Sequence, residues 1–240
     1  MTKGKELISF IAQLQDSKRF QELHWQGSFD EYLEMVLEKP HITRSAFQRI
    51  YDMTLSYGTI EYIHNKKKIT HYKFFDDAEL GGKDAVYGLD IPLMNMVNFF
   101  KSAANRYGTE RRILLLHGPV GSAKSTIVRL LKKGLEEYSK TEEGALYTFS
   151  WKLEPPDGSS EEVHYLDCPM HEEPLHLIPR ELRKDFFAEL NRHCDSDNGI
   201  VIEGDLCPAC RFTFRDFMKK YNGDWTKILE NVEIRRLILS

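Results

Sequence analysis

Residues Gly118-Pro-Val-Gly-Ser-Ala-Lys-Ser125 have the types and the spacing of a phosphate-binding turn. In the pattern G-x-x-x-x-G-K-[ST], successive backbone N–H groups cradle phosphates, the lysine reaches the outer ones, and the hydroxyl binds Mg2+. Gly118, Lys124 and Ser125 fill their slots. Ala123 stands where the pattern has glycine, which puts a methyl group at a point of close backbone approach. With Pro119, Val120, Gly121, Ser122 and the following Thr126, these are the candidate nucleotide-binding residues. Lys124 is also the candidate catalytic group, because it would neutralise charge on a phosphoryl group, and Ser125 is the candidate Mg2+ ligand. The alternative is a Gly/Ser-rich turn with Ser122 as a helix N-cap, which would still attract anions.

A second constellation consists of soft metal ligands. Cys168-x-x-His171 and Cys207-Pro-Ala-Cys210 are two close pairs separated by a helix-like segment, Arg180–His193. A Cys3His set of this kind would close a tetrahedral, structural zinc site with no open position for activating water. Plain thiols are the alternative, and His164, His176, His193 and Cys194 are rival ligands. A redox pair at Cys207 and Cys210 lacks the βαβ lead-in of a thioredoxin-like motif. Glu203 and Asp205 end the apolar run Gly199–Ile202 much as Mg2+-binding strand ends do. Gly204 splits them, however, and the cysteine pair follows at once, so they are expected to form a structural turn. Glu172, Glu173, Asp195 and Asp197 fall in polar loops and take no catalytic role.

These groups need elements to hold them. The apolar run Ile113–Leu116 before the turn and the helix-like stretch Thr126–Tyr138 after it supply the strand-to-helix context of a nucleotide loop. Upstream, Ser28-Phe-Asp-Glu31 has capping-box form and predicts a helix over 29–38 with Tyr32, Leu33, Val36 and Leu37 on one stripe. Thr43 can cap a second helix that carries Ala46, Phe47, Ile50, Tyr51 and Leu55 and ends at Gly58. Alternating apolar residues on either side of Asn65-Lys66 predict a hairpin within 59–75. Ile91, Met94, Val97, Phe100 and Ala104 recur at helical spacing, which assigns Met94 and Met96 to a packed core rather than to a ligand box.

Composition sets outer bounds. The 240 residues allow one large or two small domains, and 41% hydrophobic content suffices for a core. A net charge of −4 with interspersed signs gives no electrostatic footprint for nucleic acid. The one basic run, Lys66-Lys-Lys68, follows Asn65 and reads as a solvated turn. No segment reaches the ~18 apolar residues of a membrane span, and Met1-Thr-Lys-Gly-Lys lacks the apolar core of a signal peptide. The expectation is a cytoplasmic protein with no membrane or nucleic-acid partner, its four cysteines being thiols or metal ligands.

Four strings carry a family likeness. Tyr87-Gly-Leu-Asp-Ile-Pro92, Asn98-Phe-Phe-Lys-Ser-Ala-Ala104, Arg112-Ile-Leu-Leu-Leu-His-Gly-Pro-Val-Gly-Ser122 and Cys168-Pro-Met-His-Glu-Glu-Pro-Leu-His-Leu-Ile-Pro179 resemble the bacterial PrkA serine protein kinases, over nearly the whole chain. The resemblance implies the AAA-type ATPase module that opens those longer proteins, with ATP and Mg2+ as cofactors. It also places Val86, Tyr87 and Gly88 where AAA proteins line the adenine pocket. The implied fold is α/β, with a parallel P-loop sheet, flanking helices and an N-terminal helical segment.

The expected domains are a lead-in over 1–85 and a core over 86–240, with an inserted, zinc-stapled segment at about 163–215. The strand-like run Val232–Leu239 stops at Ser240 without a turn or polar tail, so the piece is expected to be incomplete at its C-terminus, with an open sheet edge and reduced stability. In the family, the acidic Mg2+ motif, the polar sensors and the trans-acting arginine would all follow. For the full-length protein, the resemblance implies transfer of the ATP γ-phosphoryl group to serine or threonine of a protein substrate by a homo-oligomer. No His-Arg-Asp or Asp-Phe-Gly string occurs, and a Walker-type loop differs from a kinase glycine-rich loop. Two alternatives are an AAA motor for protein remodelling or ATP-dependent proteolysis, and a non-catalytic nucleotide-binding fragment.

Overall fold

The structure, a computed structural model, describes residues 3–4, 10, 17–78, 81–153, 164–194 and 199–240. Asp195 and Asp197 lie outside the described residues. The chain divides into two compact units. One comprises Met1–Leu37, Leu146–Phe186 and Ile202–Ile238; the other comprises Glu38–Ala145, Phe187–Val201 and Leu239–Ser240. A boundary at 85/86 does not separate them, because Phe74, Phe75 and Val86 belong to the same core of the second unit.

The first elements are α1 (Ser17–Leu23), β1 (Gln26–Gly27) and α2 (Phe29–Glu38). The capping box of α2 forms as the sequence predicts: Ser28 N donates to Glu31 Oε2 at 2.8 Å and Glu31 N to Ser28 Oγ at 3.3 Å. Phe29, Tyr32 and Val36 then fall on one buried stripe. In α3 (Ala46–Ser56) the cap is Ser45, boxed with Gln48, rather than Thr43. Thr43 sits in a 3-10 turn over Pro40–Thr43, where its hydroxyl donates to the Pro40 carbonyl at 2.8 Å. Pro40 favours such a turn start, and that turn delays the helix by one more cap.

β2 (Thr59–His64) and β3 (Lys67–Tyr72) form the expected hairpin. Asn65 and Lys66 both take left-handed backbone, φ 48° and 64°, as a two-residue turn matched to strand twist requires. α4 (Asp90–Ala104) and α5 (Lys124–Ser139) complete this unit's core. Leu93, Met96, Val97 and Phe100 of α4 and Ile127, Leu130 and Tyr138 of α5 pack with Met53, Phe74 and Phe75. Gly134 is what lets α5 approach: a Cβ there would lie 2.6 Å from the Phe74 ring and 2.8 Å from the Met53 sulfur.

The first unit is built on a sheet of order β1, β6, β4, β5, where β4 is Leu146–Leu153, β5 is His164–Asp167 and β6 is Val232–Leu237. Helices α6 (Arg183–His193), α7 (Pro208–Lys220) and α8 (Trp225–Leu229) lie between β5 and β6 in the chain. Phe149, Trp151, Val232 and Ile234 are fully or almost fully buried, and the Phe149 and Trp151 rings meet edge to face with centroids 5.6 Å apart. An aromatic contact of this kind adds about 0.5–1.5 kcal/mol beyond the area it buries.

The mixed α/β class of an AAA module stands, but the expected strand direction is corrected. Every strand pairing among the described residues is antiparallel. The parallel sheet that the family resemblance implies is not found there, and the strand-like runs 113–116 and 199–202 carry no strand pairing among the described residues. Ile113 is 94% and Leu115 80% exposed, so this stretch presents apolar side chains to solvent instead of to a neighbouring strand. β4 and β6 pair over six residues from Leu146 opposite Leu237 to Trp151 opposite Val232, and that ladder organises the sheet.

Candidate nucleotide site and cysteine cluster

The phosphate-type loop lies in the second unit, at the start of α5. The first bond within the helix is Ile127 N to Ala123 O at 2.9 Å, so the N–H groups of Lys124, Ser125 and Thr126 precede it and face out of the helix end. The N-cap position falls on Ala123, which has no side-chain cap, and not on Ser122. Ser122 instead closes the turn, its hydroxyl donating to the Pro119 carbonyl at 2.8 Å. The Lys124 ammonium folds back over the loop and donates to Gly118 O at 2.9 Å, Pro119 O at 2.6 Å and Ser122 Oγ at 2.9 Å.

Three backbone features shape the loop. Gly121 is left-handed at φ 81° with open space where a side chain would go. Gly118 is closely approached, since a Cβ there would meet Ser122 Oγ at 2.8 Å. Ala123 is also left-handed, φ 56° and ψ 11°, a conformation that disfavours any residue with a Cβ. Pro119, Val120, Gly121 and Ser125 are exposed, while Gly118, Ser122, Ala123, Lys124 and Thr126 are half-buried. An uncapped helix end, an ammonium beside it and an accessible hydroxyl fit a phosphate chain with its cation.

The segment expected to meet adenine lies in the same unit. Val86 is buried and its N–H donates to Phe75 O at 2.9 Å, Tyr87 is 79% exposed, and Gly88 has φ 72°. Asp84 ties this segment to the loop's helix. Arg129 grips its two oxygens at 2.9 and 2.5 Å, and Lys133 lies 3.3 Å away. The Arg129 hydrogen bond, aided by Lys133, holds the Asp84 carboxyl below the usual carboxylate range.

The soft ligands gather in the first unit. Cys168, Glu172, Cys207 and Cys210 place their ligand atoms within 4.8 Å of one another, and Cys168, Cys207 and Cys210 are free thiols. Three of these are the residues that spacing selects; His171 is not among the gathered set. The reason is a turn: His171 N donates to Cys168 O at 3.1 Å and His171 itself is left-handed at φ 49°. That reversal leaves His171 exposed and brings Glu172 back, its N–H donating to Cys168 Sγ at 3.4 Å and its Oε2 lying 3.6 Å from the same sulfur. Cys207 caps α7 and Cys210 sits in its first turn. Cys210 acts as donor to Cys168, the largest influence holding the Cys168 thiol down at about 6 and pushing that of Cys210 up.

The turn at 203–205 is held through its backbone. Gly204 O accepts from Arg183 at 2.6 Å and Glu203 O from His176 at 3.1 Å, while Asp205 faces Arg211 at 3.6 Å. Arg183 is buried and also donates to Ile178 O and His176 O, so it pins the turn rather than serving a site. Cys194 is half-buried and, like His164 and His193, stands outside the gathered set. Glu172 was not legible as a ligand from spacing; the only hint was the proline after Cys168, which favours a tight turn and so a ligand beyond it.

The chain matches the PrkA AAA domain family over residues 27–238. It is 38% identical over 221 residues to the ATP-dependent protease PrkA of Bacillus subtilis (strain 168), covering 92% of this chain and 28% of that protein. It is 40% identical over 92 residues to the uncharacterized protein in gldA 5'region of Geobacillus stearothermophilus, which is 38% of this chain and 84% of that one. The chain thus spans under a third of the Bacillus relative's length. No solved structure matches it. No helix among the described residues is long and apolar enough to cross a membrane.

Proposed function

The chain belongs to the PrkA AAA domain family, and on that premise we propose that it is the ATP-binding module of a longer protein that uses ATP to act on other proteins. The observation that carries this reading is the loop at Gly118–Ser125, set on an uncapped helix start with the Lys124 ammonium closed over it. Bound ATP with Mg2+ supplies a phosphoryl group poised for transfer. The N–H groups of Lys124, Ser125 and Thr126 would donate to phosphate oxygens, strengthened by the positive end of α5. Lys124 would exchange its acceptors at Gly118, Pro119 and Ser122 for phosphate oxygens and so neutralise their charge. Ser125 Oγ would be the protein's ligand to Mg2+, and Tyr87 with Gly88 would face the adenine.

For the longer protein, the Walker-type loop and the likeness to the ATP-dependent protease of Bacillus both support ATP hydrolysis coupled to remodelling or proteolysis. The resemblance of the family strings supports the other reading, a serine/threonine protein kinase. In either case the protein acts in the cytoplasm as a homo-oligomer.

One experiment separates these. The longer protein is incubated with γ-labelled ATP and a generic unstructured protein. Peptide products with free phosphate support the protease, and label on the protein supports the kinase. Either activity surviving Lys124→Ala would refute the nucleotide site.

A further inference from the structure

We propose that Cys168, Glu172, Cys207 and Cys210 form a structural zinc site, with Glu172 in the role that sequence spacing gives to His171. The donor atoms already lie within 4.8 Å of one another. Sulfurs at about 2.3 Å from a tetrahedral zinc stand about 3.8 Å apart, so closure needs shifts of about 1 Å or less. The Cys168 Sγ to Glu172 Oε2 separation, 3.6 Å, is already of that size. Without a cation, the Glu172 carboxylate among three buried thiols is held only by weak S–H and backbone N–H hydrogen bonds. Among the described residues no basic side chain pairs with Glu172, and Cys168, Cys207 and Cys210 are 0%, 6% and 1% exposed. A buried group of this composition is stabilised by a cation or remains protonated.

The surroundings are those of anionic ligands. Glu172 N donates to Cys168 Sγ at 3.4 Å, Cys210 N to Cys207 Sγ at 3.4 Å, and Cys207 N to Glu172 Oε2 at 2.9 Å. The start of α7 adds its positive end at Cys207. The Trp151 indole N–H is buried without a hydrogen-bond partner among the described residues. Soft thiolates select zinc over Mg2+ or Ca2+, and four protein ligands leave no place for a reactive water. The metal would fasten the turn after β5 to the first turn of α7, two points far apart in the chain.

The test is metal content and metal spectrum of the purified chain. Elemental analysis is expected to give one zinc per chain after dialysis against a weak chelator. Cobalt put in its place is expected to show tetrahedral d–d absorption with thiolate charge transfer, which needs no variant. Glu172→Gln keeps the acceptor for Cys207 N but not the charge, and is expected to weaken zinc binding by about tenfold or more, whereas His171→Ala changes it by less than about twofold. Cys207→Ser abolishes the cobalt spectrum. The proposal is overturned by a zinc-free chain that, kept reduced, takes up no cobalt, or by His171→Ala releasing metal while Glu172→Gln retains it.

Discussion

Ala123→Gly is expected to stabilise the chain, against the usual effect of glycine at a helix start. Ala123 holds φ 56° and ψ 11°. Left-handed backbone costs an L-residue about 1–2 kcal/mol, while glycine loses about 0.5–1 kcal/mol more backbone entropy than alanine on folding. The difference favours the glycine variant by about 0.5–1 kcal/mol, or about 1–4 °C in melting temperature at this chain length. Gly121→Ala is the mirror experiment. Gly121 is left-handed at φ 81° with no atom within 4 Å of a new Cβ, so only the backbone term acts, and the variant should lose about as much as Ala123→Gly gains. Guanidinium unfolding followed by circular dichroism reads both. A glycine that also lets a phosphate approach more closely should bind ATP more tightly in the same variant. A destabilised Ala123→Gly, or a neutral Gly121→Ala, would refute the backbone argument.

Two further predictions concern the unit that carries the loop. Arg49 is buried and its guanidinium donates to Ile42 O at 2.5 Å, Arg44 O at 3.1 Å, Gly144 O at 3.0 Å and Ala145 O at 2.7 Å. Arg49→Met keeps much of the volume but leaves these carbonyls unpaired, and should cost about 3–5 kcal/mol in denaturant unfolding; a loss below about 1 kcal/mol would mean water replaces them. His71 bridges Asp90 at 2.8 Å and Asp76 at 3.1 Å. Its pKa is raised, chiefly by the Asp90 hydrogen bond, with burial opposing and Asp76 assisting. The stabilisation is therefore full below the ordinary value of 6.5 and is lost as pH rises through the higher folded value. His71→Gln should flatten that part of the stability profile, and an unchanged slope would assign it to another group.

The parts legible in the sequence are those governed by neighbouring residues. The box Ser28–Glu31, the hairpin around Asn65-Lys66 and the stripes of α4 and α5 depend on local spacing, and the structure has them. The parts missed depend on partners distant in the chain. Strand direction is not local: the parallel sheet is what the family resemblance implies, while apolar runs at 113–116 and 199–202 look like strands whether or not a neighbour exists for them. The ligand next to Cys168 is not local either: a left-handed His171 turns Glu172 rather than His171 toward the cysteines, and nothing in the order Met-His-Glu announces it. The cap of α3 moved from Thr43 to Ser45 because the Pro40 turn came first. The turn at 118–125 and the helix that follows it are legible because both are set by neighbouring residues.

Whether this loop holds the phosphates of ATP is decided by calorimetric titration of the purified chain with MgATP. The expected result is one ATP per chain, AMP binding far more weakly, and a loss of about tenfold or more in ATP affinity for Lys124→Ala in a chain that still unfolds cooperatively. ATP and AMP binding alike, or ATP binding unchanged in Lys124→Ala, would contradict it.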